Sequence, residues 1–317
     1  MPPTTFLLRR RSLIAVIAST LTLVACSGDR DERLSDPTGI SATKRTASTT
    51  SARPNVPTAP ASVPCSAKAL GADEGSTFLV AHTAVNGHLG EPCFGQRDER
   101  LHAAWTDLAV IAPPDQLSAL ALFAGFEDDG NEEQTVAFVN AIEGHHGFQM
   151  SVNLDAYADD PRAGQFTLAH EFAHVITQAA TEIDRTDEGF ESCATYRASD
   201  ACFLPNSLIA SWVKAFWTDD MLATLPSNDE PTVADGDALC AINASFLGPY
   251  AASNPEEDFA ESFAAFVFGV PVDAPQLQAK LNWIAQRPVL AAFRERAVAA
   301  GQHTRPNEFE GCGGGTT

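Results

Sequence analysis

The sequence predicts an α+β fold: a small mixed β-sheet, a helix carrying two closely spaced histidines, and a mostly helical C-terminal half. Three observations predict it. Short apolar runs separated by turn residues occupy positions 119–154, which is strand spacing. No Gly or Pro interrupts residues 165–180, where Leu168, Phe172 and Val175 recur at three- and four-residue intervals, which is helix spacing. From residue 207 onward, apolar residues return at that helical interval. Strands followed by helices give an α+β arrangement, with a cleft expected between the halves.

The first 25 residues read as a targeting segment rather than as part of the fold. Arg9, Arg10 and Arg11 form a basic start, and Ser12 to Val24 form an apolar run too short to span a bilayer comfortably. The run ends in Leu23-Val24-Ala25-Cys26, which resembles a bacterial lipobox; in such signals the chain is cut before the cysteine, and its sulfur carries a lipid. Residues 26–64 are dominated by Ser, Thr, Pro, Ala and charges. They lack the apolar surface needed to offset ordering entropy, so a flexible tether is expected there. The body is residues 65–317, ample for one core. Its far end, Gly311 to Thr317, is glycine-rich, with Cys312 as its one possible anchor.

Net charge is −21 overall. Residues 1–64 hold eight basic and four acidic residues, which leaves 12 basic and 37 acidic residues beyond them, a net of about −25. Such a balance argues against nucleic acid or an anionic membrane surface as partner, so the membrane is reached only through the lipid on Cys26. Of seven cysteines, six remain once Cys26 is assigned to a lipid. An even number in an exported body implies disulfides. The nine-residue separation of Cys193 and Cys202 suggests one pair, and Cys65–Cys93 and Cys240–Cys312 would follow, although six cysteines permit fifteen connectivities. A cysteine zinc site is not expected, because no C-x-x-C occurs.

Within the body, Arg97 to Val110 reads as a helix, with Leu101, Trp105 and Leu108 on one face and Pro113-Pro114 ending it. Residues 119–123 and 135–139 flank the turn-rich Glu127 to Asn131, an arrangement expected to form a hairpin. Phe148 to Leu154 alternates apolar and polar residues and reads as a third, half-buried strand. Helices are expected at 207–216, 258–270, 275–286 and 287–300.

The chemistry is carried by His170-Glu171-Phe172-Ala173-His174, an H-E-x-x-H pattern. On a helix, positions i and i+4 share a face, so both imidazoles can reach one metal ion. Glu171 follows the first histidine directly, where its carboxylate can take a proton from water at the metal. Asp160-Pro161 supplies a cap and a first-turn proline for that helix. A catalytic zinc needs a third protein ligand. Thr177 and Ala180 stand where a glycine and a third histidine would follow, so a carboxylate from a second helix is expected. Asn254-Pro255 starts such a helix and places Glu257 and Glu261 one turn apart on one face, with Phe259, Phe263 and Phe266 to pack the other; spacing alone allows either glutamate.

With these motifs in hand, the chain resembles the gluzincin branch of zinc metallopeptidases, and most closely catalytic domains similar to anthrax lethal factor. In that family an H-E-x-x-H helix is followed by a tyrosine and, seven residues later, a glutamate, in a segment ending F-A-E-x-F. Tyr250, Glu257 and Phe259-Ala260-Glu261-Ser262-Phe263 match that pattern. The resemblance covers roughly residues 145–270. It implies a zincin-like fold, Zn2+ held by His170, His174 and Glu257, Glu171 as general base, and Tyr250 as a hydrogen-bond donor to the transition state. Glu261 is left to orient a ligand. Zincin analogy also suggests that the strand at 148–154 binds a protein or peptide substrate by edge pairing. The expected protein is an extracytoplasmic, lipid-anchored zinc endopeptidase. The alternatives are a non-catalytic partner-binding lipoprotein with a structural zinc, which would not need Glu171, and a zinc-storage or delivery lipoprotein. The latter usually carries His-rich tracts, whereas the eight histidines here are scattered apart from His145-His146.

The anchor is testable directly. Cys26→Ala is expected to abolish incorporation of a fatty-acid analogue and to release or mislocalise the protein; equal labelling of variant and parent would remove the lipobox assignment.

Overall fold

The computed structural model describes residues 63–71, 76–128, 135–142, 147–185, 193–197, 201–225, 232–309 and 311–313. The leader, Cys26, the tether up to residue 62, His145-His146 and the last four residues lie outside them. The described chain opens with β1 (Ser76–Val85) and β2 (His88–Gly95). They are joined by Asn86-Gly87, both left-handed with φ of 52° and 75°, the geometry a two-residue hairpin turn demands. A side chain at Gly87 would also place its Cβ 2.7 Å from the Pro114 carbonyl oxygen.

Next come α1 (Glu99–Ile111), α2 (Pro114–Leu117), β3 (Leu120–Asp128), β4 (Ala137–Ala141), β5 (Phe148–Asn153), α3 (Leu154–Asp159) and α4 (Pro161–Thr177). The short pair β6 (Ile183–Asp184) and β7 (Cys202–Phe203) leads into α5 (Leu208–Phe216), α6 (Asp219–Leu222), α7 (Val233–Ile242), α8 (Pro255–Phe268), α9 (Pro275–Ala285) and α10 (Pro288–Ala299). The fold is α+β with a small mixed sheet, as the sequence predicts. Side-chain caps set several helix starts: Asp98 accepts from Arg100 N at 2.8 Å, and Ser207 accepts from Ala210 N at 3.0 Å.

The sheet order is β2-β1-β3-β5-β4, with β3 and β5 parallel and the other pairs antiparallel. This corrects three expectations. The strands at 120–128 and 137–141 do not form a hairpin, because β5 lies between them. β3 and β5 are buried along almost their whole length and take the interior, while β4 alternates buried and half-exposed residues and takes the edge. Nor is β5 half-buried: all six of its residues are buried. Its polar alternates mislead, because Gln149 Nε2 donates to the Leu70 carbonyl at 3.0 Å and to Ser151 Oγ at 2.9 Å, so these groups are satisfied inside. An interior strand offers no free edge, so 148–154 cannot pair with a substrate strand. On this side the free edge belongs to β4, which packs beside α4.

One sheet face carries Val80, Phe123, Met150 and Val152 into a core shared with α1, α4, α8 and α10; the other is covered by a smaller cluster around Leu70, Phe78 and Phe126. Disulfides join Cys65–Cys93, Cys193–Cys202 and Cys240–Cys312, the pairing expected from the sequence. Among the described residues, no helix is long and apolar enough to cross a membrane.

Helix α8 is the most deeply placed of the helices, with most of its side chains buried. Its first turn is held by a buried polar cluster. Asp258 Oδ2 accepts from Trp212 Nε1 at 2.8 Å and Trp217 Nε1 at 3.0 Å, and Lys280 Nζ reaches Asp258 Oδ1 at 2.6 Å and the Ser245 carbonyl at 2.5 Å. Burial pushes the Asp258 carboxyl up and the Lys280 ammonium down, each opposed by the other's charge. Lys280→Met leaves Asp258 buried without its counterion. Its expected cost is about 3–5 kcal/mol, seen as a lowered urea midpoint at unchanged m-value; a loss within about 0.5 kcal/mol, ordinary for a surface change, would show that the pair does not hold the helix.

Candidate metal centre

Two helices build the site. Asp160 caps α4 by accepting from Arg162 N and Ala163 N, both at 3.1 Å, with Pro161 in the first turn. Leu168, Phe172 and Val175 bury one side of α4, and the Phe172 ring packs 5.5 Å from that of Phe293. The other side carries His170 and His174, whose Nε2 atoms lie 3.2 Å apart. Asn254 caps α8 by accepting from Glu257 N at 2.8 Å, and Gly269 ends it in the left-handed region at φ 64°. Phe259, Phe263 and Phe266 are buried, as their spacing predicts, with Phe259 against Trp212 and Phe263 against Phe293.

Packing α8 on α4 brings Glu257 Oε2 to 3.0 Å from His170 Nε2 and 3.5 Å from His174 Nε2. His170, His174 and Glu257 are 2%, 3% and 2% exposed, and together they form a group that could hold a metal ion. Their separations suit one. Bonds of about 2.0–2.1 Å in tetrahedral array place donor atoms roughly 3.3 Å apart, against 3.0, 3.2 and 3.5 Å here. Among the described residues, Glu257 Oε2 is buried and makes no hydrogen bond of good geometry, although both Nε2 atoms lie within 3.5 Å of it. The other nitrogen of His170, Nδ1, lies 3.0 Å from Glu261 Oε1. Donation from Nδ1 leaves Nε2 as the bare ligand atom, the usual arrangement around metal-binding histidine.

The charges interlock. Burial favours neutral His170, but Glu257 and Glu261 outweigh it and hold its pKa well above the ordinary value. Burial likewise opposes ionisation of Glu257, yet His174 and His170 keep its carboxyl far below the usual range. Glu171 is fully buried, and neither of its oxygens has a hydrogen-bond partner. Burial pushes its carboxyl up to about 7. A cation at the three donors would draw it down again. Tyr250 stacks on His170 with centroids 5.9 Å apart, and its hydroxyl is buried without a partner. The segment bearing Tyr250 is pressed against α7 at Gly236, where a Cβ would meet the Pro249 carbonyl oxygen at 1.7 Å.

The six residues singled out by the motifs, His170, Glu171, His174, Tyr250, Glu257 and Glu261, therefore meet at one place. Asp258 and its partners were not foreseen. They lie 22, 41 and 46 residues away in sequence, and an acidic first turn reads equally well as complement to a helix dipole. Glu256, whose Oε2 is buried and unpartnered, was missed for the same reason.

No family model matches the chain, and no curated protein matches it. Among solved structures it is similar to a crystal structure from Bacteroides caccae proposed to be a zinc-binding metallo-peptidase, at 15% identity and a TM-score of 0.28. The likeness covers 63% of this chain and 64% of that one, so the chain spans just under two thirds of that structure. A likeness of this size carries no argument, and the chemistry rests on the site itself.

The two glutamates separate by experiment. Glu257→Ala is expected to abolish metal retention on dialysis against a weak chelator, whereas Glu261→Ala lowers affinity roughly 10–100-fold. Loss in the Glu261 variant with retention in the Glu257 variant would reverse their roles.

Proposed function

We propose that the chain is a zinc-dependent endopeptidase of the gluzincin type, with His170, His174 and Glu257 holding the ion. The observation that carries this is the convergence of three buried donors beside a fourth group, the Glu171 carboxylate, that has no partner of its own. A clamp with a purely structural role has no use for such a carboxylate, because burying it unpaired costs stability. The donor set, two imidazoles and one carboxylate, suits zinc and leaves a coordination position for reactants. A zinc ion bound there supplies Lewis-acid polarisation of the scissile carbonyl and acidifies an adjacent water.

The chain's own residues do the rest. Glu171 accepts a proton from the attacking water as its oxygen bonds to the carbonyl carbon. The same carboxyl then delivers that proton to the leaving nitrogen as the C–N bond breaks, so it ends the cycle ionised. Burial raises the basicity of that carboxylate and a bound cation would lower it again, so the two act in opposite directions on the base. The Tyr250 hydroxyl donates a hydrogen bond to the developing oxyanion. Burial and the charges of Glu257 and Glu171 hold that hydroxyl well above its ordinary pKa, so it stays a donor. An extended substrate would pair with the β4 edge rather than with β5. Three disulfides agree with an oxidising compartment, and we place the enzyme outside the cytoplasm, tethered by a lipid on Cys26.

Glu171→Gln tests the mechanism. It is expected to keep its metal while cleavage of a peptide library falls at least about 100-fold. Full turnover by a metal-loaded variant would leave Glu171 without a catalytic role.

A further inference from the structure

We infer that His82 and His102 form a second, weaker transition-metal site, separate from the centre on α4 and α8, which pins α1 to the β1–β2 hairpin. His82 is 1% exposed and lies on β1 between Val80 and Ala84, on the side that meets α1. Its Nδ1 is 2.7 Å from the Gly90 carbonyl oxygen across the hairpin. A carbonyl only accepts, so Nδ1 carries the hydrogen and Nε2 of the neutral ring is a bare lone pair. That Nε2 is buried and has no partner. A histidine tied by one nitrogen to a backbone carbonyl, with the other bare, is prepared as a metal ligand.

The second ring answers it. His102 sits in the first turns of α1, half-buried, yet its Nε2 is fully buried and unpartnered. The ring meets His82 edge-on, with centroids 4.9 Å apart and planes at 88°. His170 and His174 show nearly the same arrangement, 5.0 Å and 67°. Two buried imidazole nitrogens without partners cost free energy unless something satisfies them. Burial, and after it the Arg97 guanidinium, lower the His102 pKa from its ordinary value. Of the charges that act on it, Arg97 opposes a cation but is paired with Glu99 at 2.8 Å, while Glu99 and Glu91 favour one. Among the described residues, only His170, His174 and Glu257 gather three donors closely. The His82–His102 site therefore supplies two nitrogens, and water completes it. Imidazole pairs of this kind take borderline ions such as Zn2+ or Cu2+.

The test counts metal, not activity, in untagged full-length protein titrated with Zn2+ and followed by calorimetry. The parent is expected to bind two equivalents and His102→Gln one. His170→Gln/His174→Gln should retain one, and the His170→Gln/His174→Gln/His102→Gln variant none. With Cu2+ in place of Zn2+, the electron paramagnetic resonance of His170→Gln/His174→Gln should show coupling to two nitrogens, which reads the site without altering His82 or His102. A single equivalent in the parent overturns the inference, as does a second equivalent that survives His102→Gln. Loss of that equivalent in a His88→Gln/His303→Gln control would assign it to exposed histidines instead, and overturn the inference equally.

Discussion

The structure depends on the contact between α4 and α8. Neither helix holds a site alone. α4 offers two imidazoles on one face, which in a dry interior would be two unsatisfied rings; α8 offers a carboxylate whose burial alone would neutralise it. Brought together, each group alters the other, so that the carboxyl is held low and His170 high. Apolar packing fixes this proximity. Phe172 of α4 and Phe263 of α8 both meet Phe293 of α10, so three helices close on one aromatic contact at the back of the site. The polar face is positioned by the apolar one, at the usual close packing of a protein interior.

The residue after Glu257 explains how so acidic a first turn is held inside. Asp258 points away from the metal face into a cage of two indole N–H groups and one ammonium. The Lys280 ammonium also lies 4.2 Å from the centroid of the Phe246 ring. A buried ion pair is a weak source of net stability, because desolvation offsets most of the attraction. What it does supply is direction: three donor contacts on one side chain allow few orientations of that turn. Glu257, one residue earlier, inherits the orientation. The same cluster ties α5, α8 and α9 together, so the helical half is registered against the ligand.

Local chemistry was legible in the sequence, and the pairing of the strands was not. His170 and His174 are read from a four-residue interval, and the cap at Asp160 from the residue types beside it, because helix geometry makes such neighbours meet whatever the fold. The strands needed partners that sequence does not name. Residues 119–123 and 135–139 looked like a hairpin because turn residues lie between them, yet β5 fills that place through a parallel pairing that no short-range signal announces. Gln149 and Ser151 counterfeited a solvent face, since a satisfied buried polar residue has the same letter as an exposed one. One local signal was legible and went unread: Asn86-Gly87 marks the turn between β1 and β2, and it also sets the register that brings Gly90 to His82.

The choice between Glu257 and Glu261 shows where spacing stops and geometry begins. One helical turn moves a side chain about 5–6 Å along the axis, too far for two carboxylates to share one ion comfortably, yet both lie on the face that meets α4. The imidazole of His170 resolves this by having two nitrogens. Glu257 reaches Nε2 and Glu261 reaches Nδ1, so one turn of α8 brackets a single ring. The bracket fixes the tautomer: a proton held at Nδ1 by Glu261 keeps the Nε2 lone pair toward the point that Glu257 and His174 also address. Glu261 sits at the rim, with its side chain 16% exposed against 3% for Glu257. That difference suits the proposed division of roles, in which the rim group orients the imidazole and the buried carboxylate would face an ion.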